Sequence, residues 1–234
     1  MGSAGGSTVW NAAAGFSAAV DAGGAATCKG MQSGACCYTP PSGSSTGSTV
    51  TFVSAGNIVI NDGSSTIATM SPGTQGGVMN VYAANSQQDS MLKWAGGDTL
   101  TFAAAGGSVN AFSGTVVAPG LMQNITPILS TTTATTVPAS SDFTVGWTAG
   151  TTSGVAASVF VGAMKGMTAD GSIYCNGMDS DGSITVPKAL LANIASGDDL
   201  QIVVTRLASN TVTAGNVTVL IGVSAETLGV GKLQ

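Results

Sequence analysis

The stretch from Ala169 to Ile184, ADGSIYCNGMDSDGSI, contains Asp-Gly-Ser-Ile twice. Acidic residues before glycine open many calcium loops, and they also build β-turns. An EF-hand loop needs oxygen ligands at positions one, three and five, glycine at six and a bidentate acid at twelve. With Gly182 at six, Asp179 and Asp181 fall at three and five, but Gly177 stands at one and Lys188 at twelve. With Gly171 at six, Gly166, Thr168 and Gly177 occupy one, three and twelve. Neither copy is an EF-hand. A looser calcium site would draw on Asn176, Asp179 and Asp181. The turn reading accounts for more of the stretch. Asp170-Gly171 and Asp181-Gly182 become corners, Ile173 and Cys175 share one face of the strand between them, and Tyr174 points to the other. Ile184 and Val186 repeat the alternation, and Pro187 then opens a short helical turn, PKALLANI.

Catalytic chemistry is scarce. The chain has no histidine, which removes the commonest general acid/base and every Ser-His-Asp or Cys-His arrangement. GSSTG at Gly43–Gly47 fits the nucleophile-elbow pattern but sits in a Pro/Ser/Gly-rich loop rather than between a strand and a helix. Glu226 is the one glutamate, and five of the ten aspartates stand directly beside a glycine. No phosphate-loop or dinucleotide-binding glycine pattern occurs. The chain is therefore expected not to be an enzyme. Of the aromatic residues, Trp94 and Trp147 lie beside strand-end turns and are expected in cores. Trp10 and Tyr38 are the candidates for contact with a ligand such as carbohydrate.

The cysteines are Cys28, Cys36, Cys37 and Cys175. Their spacing is not that of a zinc site, and no histidine completes one. A bridge between adjacent Cys36 and Cys37 would be strained. The expected framework joins Cys28 to one of that pair and Cys175 to the other. Disulfides imply an oxidising compartment, so an extracellular or outer-surface location is expected. The start, MGSAGGSTVW, lacks a basic region followed by an apolar stretch. The adopted reading is that an export signal has been removed ahead of it.

The elements that must position these residues read as strands. The chain has 234 residues, of which 44% are hydrophobic and only 7% charged, with a net charge of −5; ordinary globular proteins carry about 25% charged residues. Six Lys and Arg in all cannot form a phosphate-tracking groove, so nucleic acid is not an expected partner. No apolar run approaches the roughly 18 residues of a membrane span. Residues 1–48 read as an irregular Gly/Ser/Pro-rich segment in which NAAAGFSAAV could form a short helix or, with its neighbours, add as a strand to another molecule's sheet edge. From Thr49 onward, short β-branched runs alternate with turn clusters such as NDGSS, as in all-β sandwiches. SMLKWAGGDTLTF (Ser90–Phe102) and LLANIASGDDLQI (Leu190–Ile202) echo each other at an offset of 100, matching Gly97 with Gly197, Asp98 with Asp198 and Leu100 with Leu200. In each, a helical turn ends at glycine, aspartate caps the bend and a strand begins with an inward leucine. The expected organisation is two related sandwiches, at 49–119 (taking in part of the N-terminal segment) and 124–228, divided near Pro119-Gly120.

SGACCYTPP, WAGGDTLTF, AFSGTVVAPG, SDFTVGWTAG and GSITVPKALLANI resemble stretches of uncharacterised bacterial secreted or lipid-anchored proteins with tandem immunoglobulin-like β-sandwiches. The resemblance covers most of residues 30–225. It implies an all-β chain of two immunoglobulin-like antiparallel sandwiches behind a disulfide-stapled N-terminal segment. It also implies export, including a form tethered by a lipid-modified N-terminal cysteine, a position occupied here by Met1. The expected role is structural or adhesive: a self-assembling filament or surface-layer subunit whose partners are further copies or other surface proteins. A carbohydrate-binding surface module, with calcium as the one candidate cofactor, is the alternative. A phage or virion structural component is a further one.

Overall fold

The computed structural model describes residues 6–18, 28, 30–41, 53–75, 78–166, 168–195 and 197–234. In chain order the strands are β1 (Ser7–Ala18), β2 (Met31–Ser33), β3 (Cys36–Thr39), β4 (Ile58–Asn61), β5 (Thr66–Met70), β6 (Gly73–Gln75), β7 (Val78–Asn85), β8 (Thr99–Ala104) and β9 (Phe112–Val117). There follow β10 (Gln123–Thr126), β11 (Thr135–Val137), β12 (Phe143–Thr148), β13 (Ala156–Lys165), β14 (Thr168–Met178), β15 (Ser183–Val186), helix α1 (Lys188–Leu191), β16 (Asp199–Ala214) and β17 (Val217–Leu233). The chain is all-β, as its alternating texture predicts.

One large sheet runs β2-β3-β14-β13-β16-β17-β1-β7-β6, with β11 joining β17 in parallel. Two smaller sheets, β5-β4-β8-β9 and β10-β12-β15, complete the layers. The hairpin β16–β17 is the spine. Strict alternation along β16 turns Leu200, Ile202, Val204, Arg206 and Ala208 inward, and Val219, Ile221, Val223 and Leu233 do the same on β17. A two-residue turn at Gly215-Asn216 closes the hairpin. Gly215 has φ +67°, a conformation that favours glycine in such turns.

Each end of the hairpin belongs to a different core. The first contains Phe16, Ile58, Ile60, Tyr82, Leu92, Leu100, Phe102 and Phe112 together with Ala208, Ala214, Val219, Ile221 and Val223. The second contains Leu129, Val145, Val159, Val161, Ile173, Ile184, Leu190 and Leu191 together with Leu200, Ile202, Val204 and Leu233. Full burial of such side chains contributes about 1.5–3 kcal/mol each. The sequential division at Pro119-Gly120 is thus corrected: residues 49–119 do not close a core alone. Besides β1 from the N-terminal segment, which the expected first sandwich already takes in, they use the far ends of β16 and β17. Strand pairing at long separation decides this, and local pattern does not report it.

Two further expectations change. The segment expected to be irregular, or helical at NAAAGFSAAV, is over Ser7–Ala18 a twelve-residue strand. β17 pairs along its whole length and β7 pairs over Asn11–Ala14. Ala12, Ala14 and Phe16 are buried, so paired neighbours on both sides override alanine's preference for helix. Over Ser7–Ala18 the segment thus adds to this chain's own sheet. Asp170-Gly171 is not a corner either. Gly162 pairs with Ser172 and Met164 with Ala169, so Asp170 and Gly171 oppose the single residue Ala163 as a bulge inside β14. The GSSTG stretch and most of TVTFV lie outside the described residues.

The echoed corners have the same hydrogen-bond plan. Gly97 N–H donates to the Ala118 carbonyl and Ala118 N–H to that of Asp98. Gly197 N–H donates to the Leu233 carbonyl and Leu233 N–H to that of Asp198. Gly97 and Gly197 have φ +96° and +90°. Both corners lock the start of one strand of a hairpin to the end of the other. The neighbours match as well, because β5-β4-β8-β9 in one unit has the order of β14-β13-β16-β17 in the other.

Candidate functional site

Among the described residues, the one buried ion pair lies at the seam between the cores. On β16 the inward run passes from Val204, in the second core, to Ala208, in the first, through Arg206. Arg206 Nε donates to Asp179 Oδ1 at 2.7 Å, with both side chains buried. Its Nη1 donates to the Leu121 carbonyl at 2.9 Å, and Nη2 donates to the Thr148 carbonyl. Asp179 Oδ2 accepts the Gly150 N–H at 2.8 Å. The Asp179 carbonyl accepts the Trp147 indole N–H at 3.1 Å. Gly150 is glycine for a steric reason, since a Cβ there would land on the Asp179 carboxylate. A cleft of about 230 Å³ opens beside the pair, lined by Gly96, Gly97, Pro119, Gly120, Thr151, Thr152 and Val155 among others.

This arrangement is a clasp. One guanidinium joins the loop after β9, the end of β12, the turn after β14 and the shared strand β16. A buried charge is tolerated only when it is paired and fully hydrogen-bonded, and here its partners come from the second unit and from the loop that leads into it from β9. Asp179 is therefore engaged apart from the other two residues of the calcium reading. Asp179 already spends both carboxylate oxygens, one on a cation and one on an N–H. Asn176 is exposed on the outward side of β14, and Asp181 turns back to accept the Met178 N–H at 3.0 Å. Asn176 and Asp181 line one shallow cleft while Asp179 lines another, and among the described residues no three His, Cys, Asp or Glu side chains gather. Arg206 escaped the sequence reading, although its signal is there: it continues in phase the inward alternation Leu200, Ile202, Val204.

Trp10 and Tyr38 are not brought together. Trp10 packs against the first core and Tyr38 against the second, with its hydroxyl donating to the Asn193 carbonyl at 3.3 Å. Trp94 and Trp147 are both buried, with indole N–H groups on the Pro119 and Asp179 carbonyls.

The cysteines form two bridges, Cys28–Cys37 and Cys36–Cys175. Adjacent strand residues point to opposite faces, so Cys36 and Cys37 must take different partners. Cys36 faces the second core directly across from Cys175 on β14, and Cys37 faces outward.

The outward face of the large sheet carries a second feature. Tyr174, Phe160, Val203 and Leu228 stand in one cross-strand row, and Met178, Ala156, Leu207 and Ser224 in another. Between them lies the row Asn176, Ser158, Thr205, Glu226 and Val9. Glu226 is half-buried, and burial pushes its pKa above the usual glutamate value against the pull of hydrogen bonds from Asn11 and Ser224.

Compared with known proteins, the chain matches no protein-family model, no curated protein and no solved structure. No helix among the described residues is long and apolar enough to cross a membrane.

Proposed function

We propose that the chain is an exported, non-enzymatic structural or adhesive protein built from two immunoglobulin-like sandwiches and acting by self-association. The observation that carries this reading is the shared hairpin. β16 and β17, of 16 and 17 residues, run through both cores, and the Arg206 clasp ties their seam. The two units therefore share continuous strands rather than a simple linker, which suits a component that bears load or repeats in an assembly.

The immunoglobulin-like assignment rests on strand order. In the second unit β10-β12-β15 faces β11-β17-β16-β13-β14, with the first strand crossing sheets to pair in parallel with the last. In the first unit β17-β1-β7-β6 faces β5-β4-β8-β9, the ABED and C-F-G pattern of such folds. There β17 stands in the place of the first strand, beside β1. Export is supported by two disulfides, Cys28–Cys37 within the N-terminal region and Cys36–Cys175, which ties that region to the second unit.

Negative-stain microscopy and size-exclusion chromatography of the purified chain test the role, and ordered assemblies are the expected result. A strictly monomeric protein that binds a glycan array would overturn it in favour of a ligand-binding module. Non-reducing mass mapping of protein from its native source tests export, and four free thiols would count against it.

A further inference from the structure

We infer that the outward face of the large sheet, from β3 across to β1, is where a second copy of this chain docks. The inference rests on the self-association proposed above and names its surface. Ten large hydrophobic side chains are exposed among the described residues, and five of them stand on this one face: Tyr174, Met178, Leu207, Leu220 and Val230. Half-buried Phe160, Val203 and Leu228 fill the rows between them. Exposed apolar side chains scattered singly are ordinary, whereas contiguous ones mark an interaction surface.

Size and charge both point to a second copy. Six strands spaced about 4.8 Å apart, over about ten residues of rise, make a face of roughly 800 Å² once its ragged ends are discounted, which is the area each partner gives to a stable complex. Among the described residues, between the Gln201–Val230 pair and the Thr211–Leu220 pair this face bears a single charge, Glu226, sunk among its neighbours and hydrogen-bonded by Ser224. Asp199 and Lys232 at the margin pair with each other. A nearly uncharged face meets its own copy with little charge to desolvate and almost none to repel. A charged partner would find no complement. Thr205, Ser209, Thr211, Gly222 and Ala13 keep the remainder low, so the aromatic and leucine ridges of one copy can settle between those of the other.

Sedimentation equilibrium of the full chain from 1 to 300 µM tests this. The expected result is self-association, weakened at least tenfold by Tyr174→Lys with Leu207→Lys. Both positions are at least 40% exposed, so the fold tolerates the change. Met91→Lys, at a 67% exposed position off this face, leaves association unchanged. Leu207→Thr with Val230→Thr gives the same readout where lysine disturbs folding. Association as tight in the face variants as in the parent overturns this face while leaving self-assembly standing. A chain that stays monomeric at every concentration overturns both. A glycan or an unrelated protein captured by a monomeric parent, and lost in the face variants, assigns the face to that occupant instead.

Discussion

Arg206→Met is the sharpest probe of how the two units are joined. Methionine keeps much of the length and apolar volume of the stem, so the change removes the guanidinium and little else. It strands the Asp179 carboxylate, which is 2% exposed, with one N–H donor left. Breaking a buried pair by removing one partner costs about 3–5 kcal/mol. The Leu121 and Thr148 carbonyls also lose their donor. The adjoining cleft of about 230 Å³ is lined by Asp179 and Arg206, so water entering there offsets part of the loss, and a total near 4 kcal/mol is expected, about the middle of that range. At about 2.1 cal/mol/K of unfolding entropy per residue, a 234-residue chain converts that loss into a fall in Tm of about 8 °C. Adding Asp179→Asn removes the stranded charge, so the double variant should be more stable than Arg206→Met alone. Calorimetry and urea titration at pH 7, with disulfides intact, read both quantities. A loss under about 1 kcal/mol, or a double variant no better than the single, would refute the clasp.

Four other outcomes are expected. Replacing Cys36 and Cys175 by alanine opens a bridge spanning 139 residues and should cost about 5 kcal/mol on the chain-entropy model, against about 2.5 kcal/mol for the nine-residue Cys28–Cys37 bridge; denaturant midpoints of the two double variants give the order. Gly150→Ala pushes a methyl onto the Asp179 carboxylate and should cost roughly 1–3 kcal/mol, measured by thermal melting. Glu226 has its folded pKa raised above 4.5 by burial, so the folded state binds its proton more tightly and stability falls as pH rises through the window just above 4.5. Glu226→Gln should therefore raise Tm at pH 7, with the gain shrinking as pH approaches 4.5. Millimolar calcium should leave Tm unchanged, because Asp179 is already paired; a rise reversed by EDTA would reinstate a metal site.

Much of the architecture is legible in local pattern. Alternation in LQIVVTRL and in SIYC assigns the faces of β16 and β14, and the buried Leu200, Ile202, Val204, Ile173 and Cys175 follow from it. The Gly-Asp-x-Leu echo marks two corners whose hydrogen bonds match. The cysteine spacing limits Cys36 and Cys37 to different partners. NAAAGFSAAV was not legible as strand, because alanine and serine are neutral to the choice until β17 and β7 flank them. Asp170-Gly171 was not legible as a bulge, because the dipeptide serves a corner equally well and pairing with β13 decides between them.

The candidate site was legible as a list of residues and not as an arrangement. Asp179 was singled out for its acid, Arg206 passed unnoticed, and their meeting needs segments 27 residues apart in sequence to converge with the loop at Gly120-Leu121. The rows of the outward face likewise exist only through register, which sets Tyr174 beside Phe160, Val203 and Leu228. By itself the sequence determined an all-β, charge-poor chain without histidine, whose corners and strand faces follow from short-range sterics and alternation. Tertiary structure alone decided which strands close which core. That choice depends on pairing at long separation, where the inward faces of β16 and β17 can serve two units at once and no local pattern distinguishes one neighbour from another.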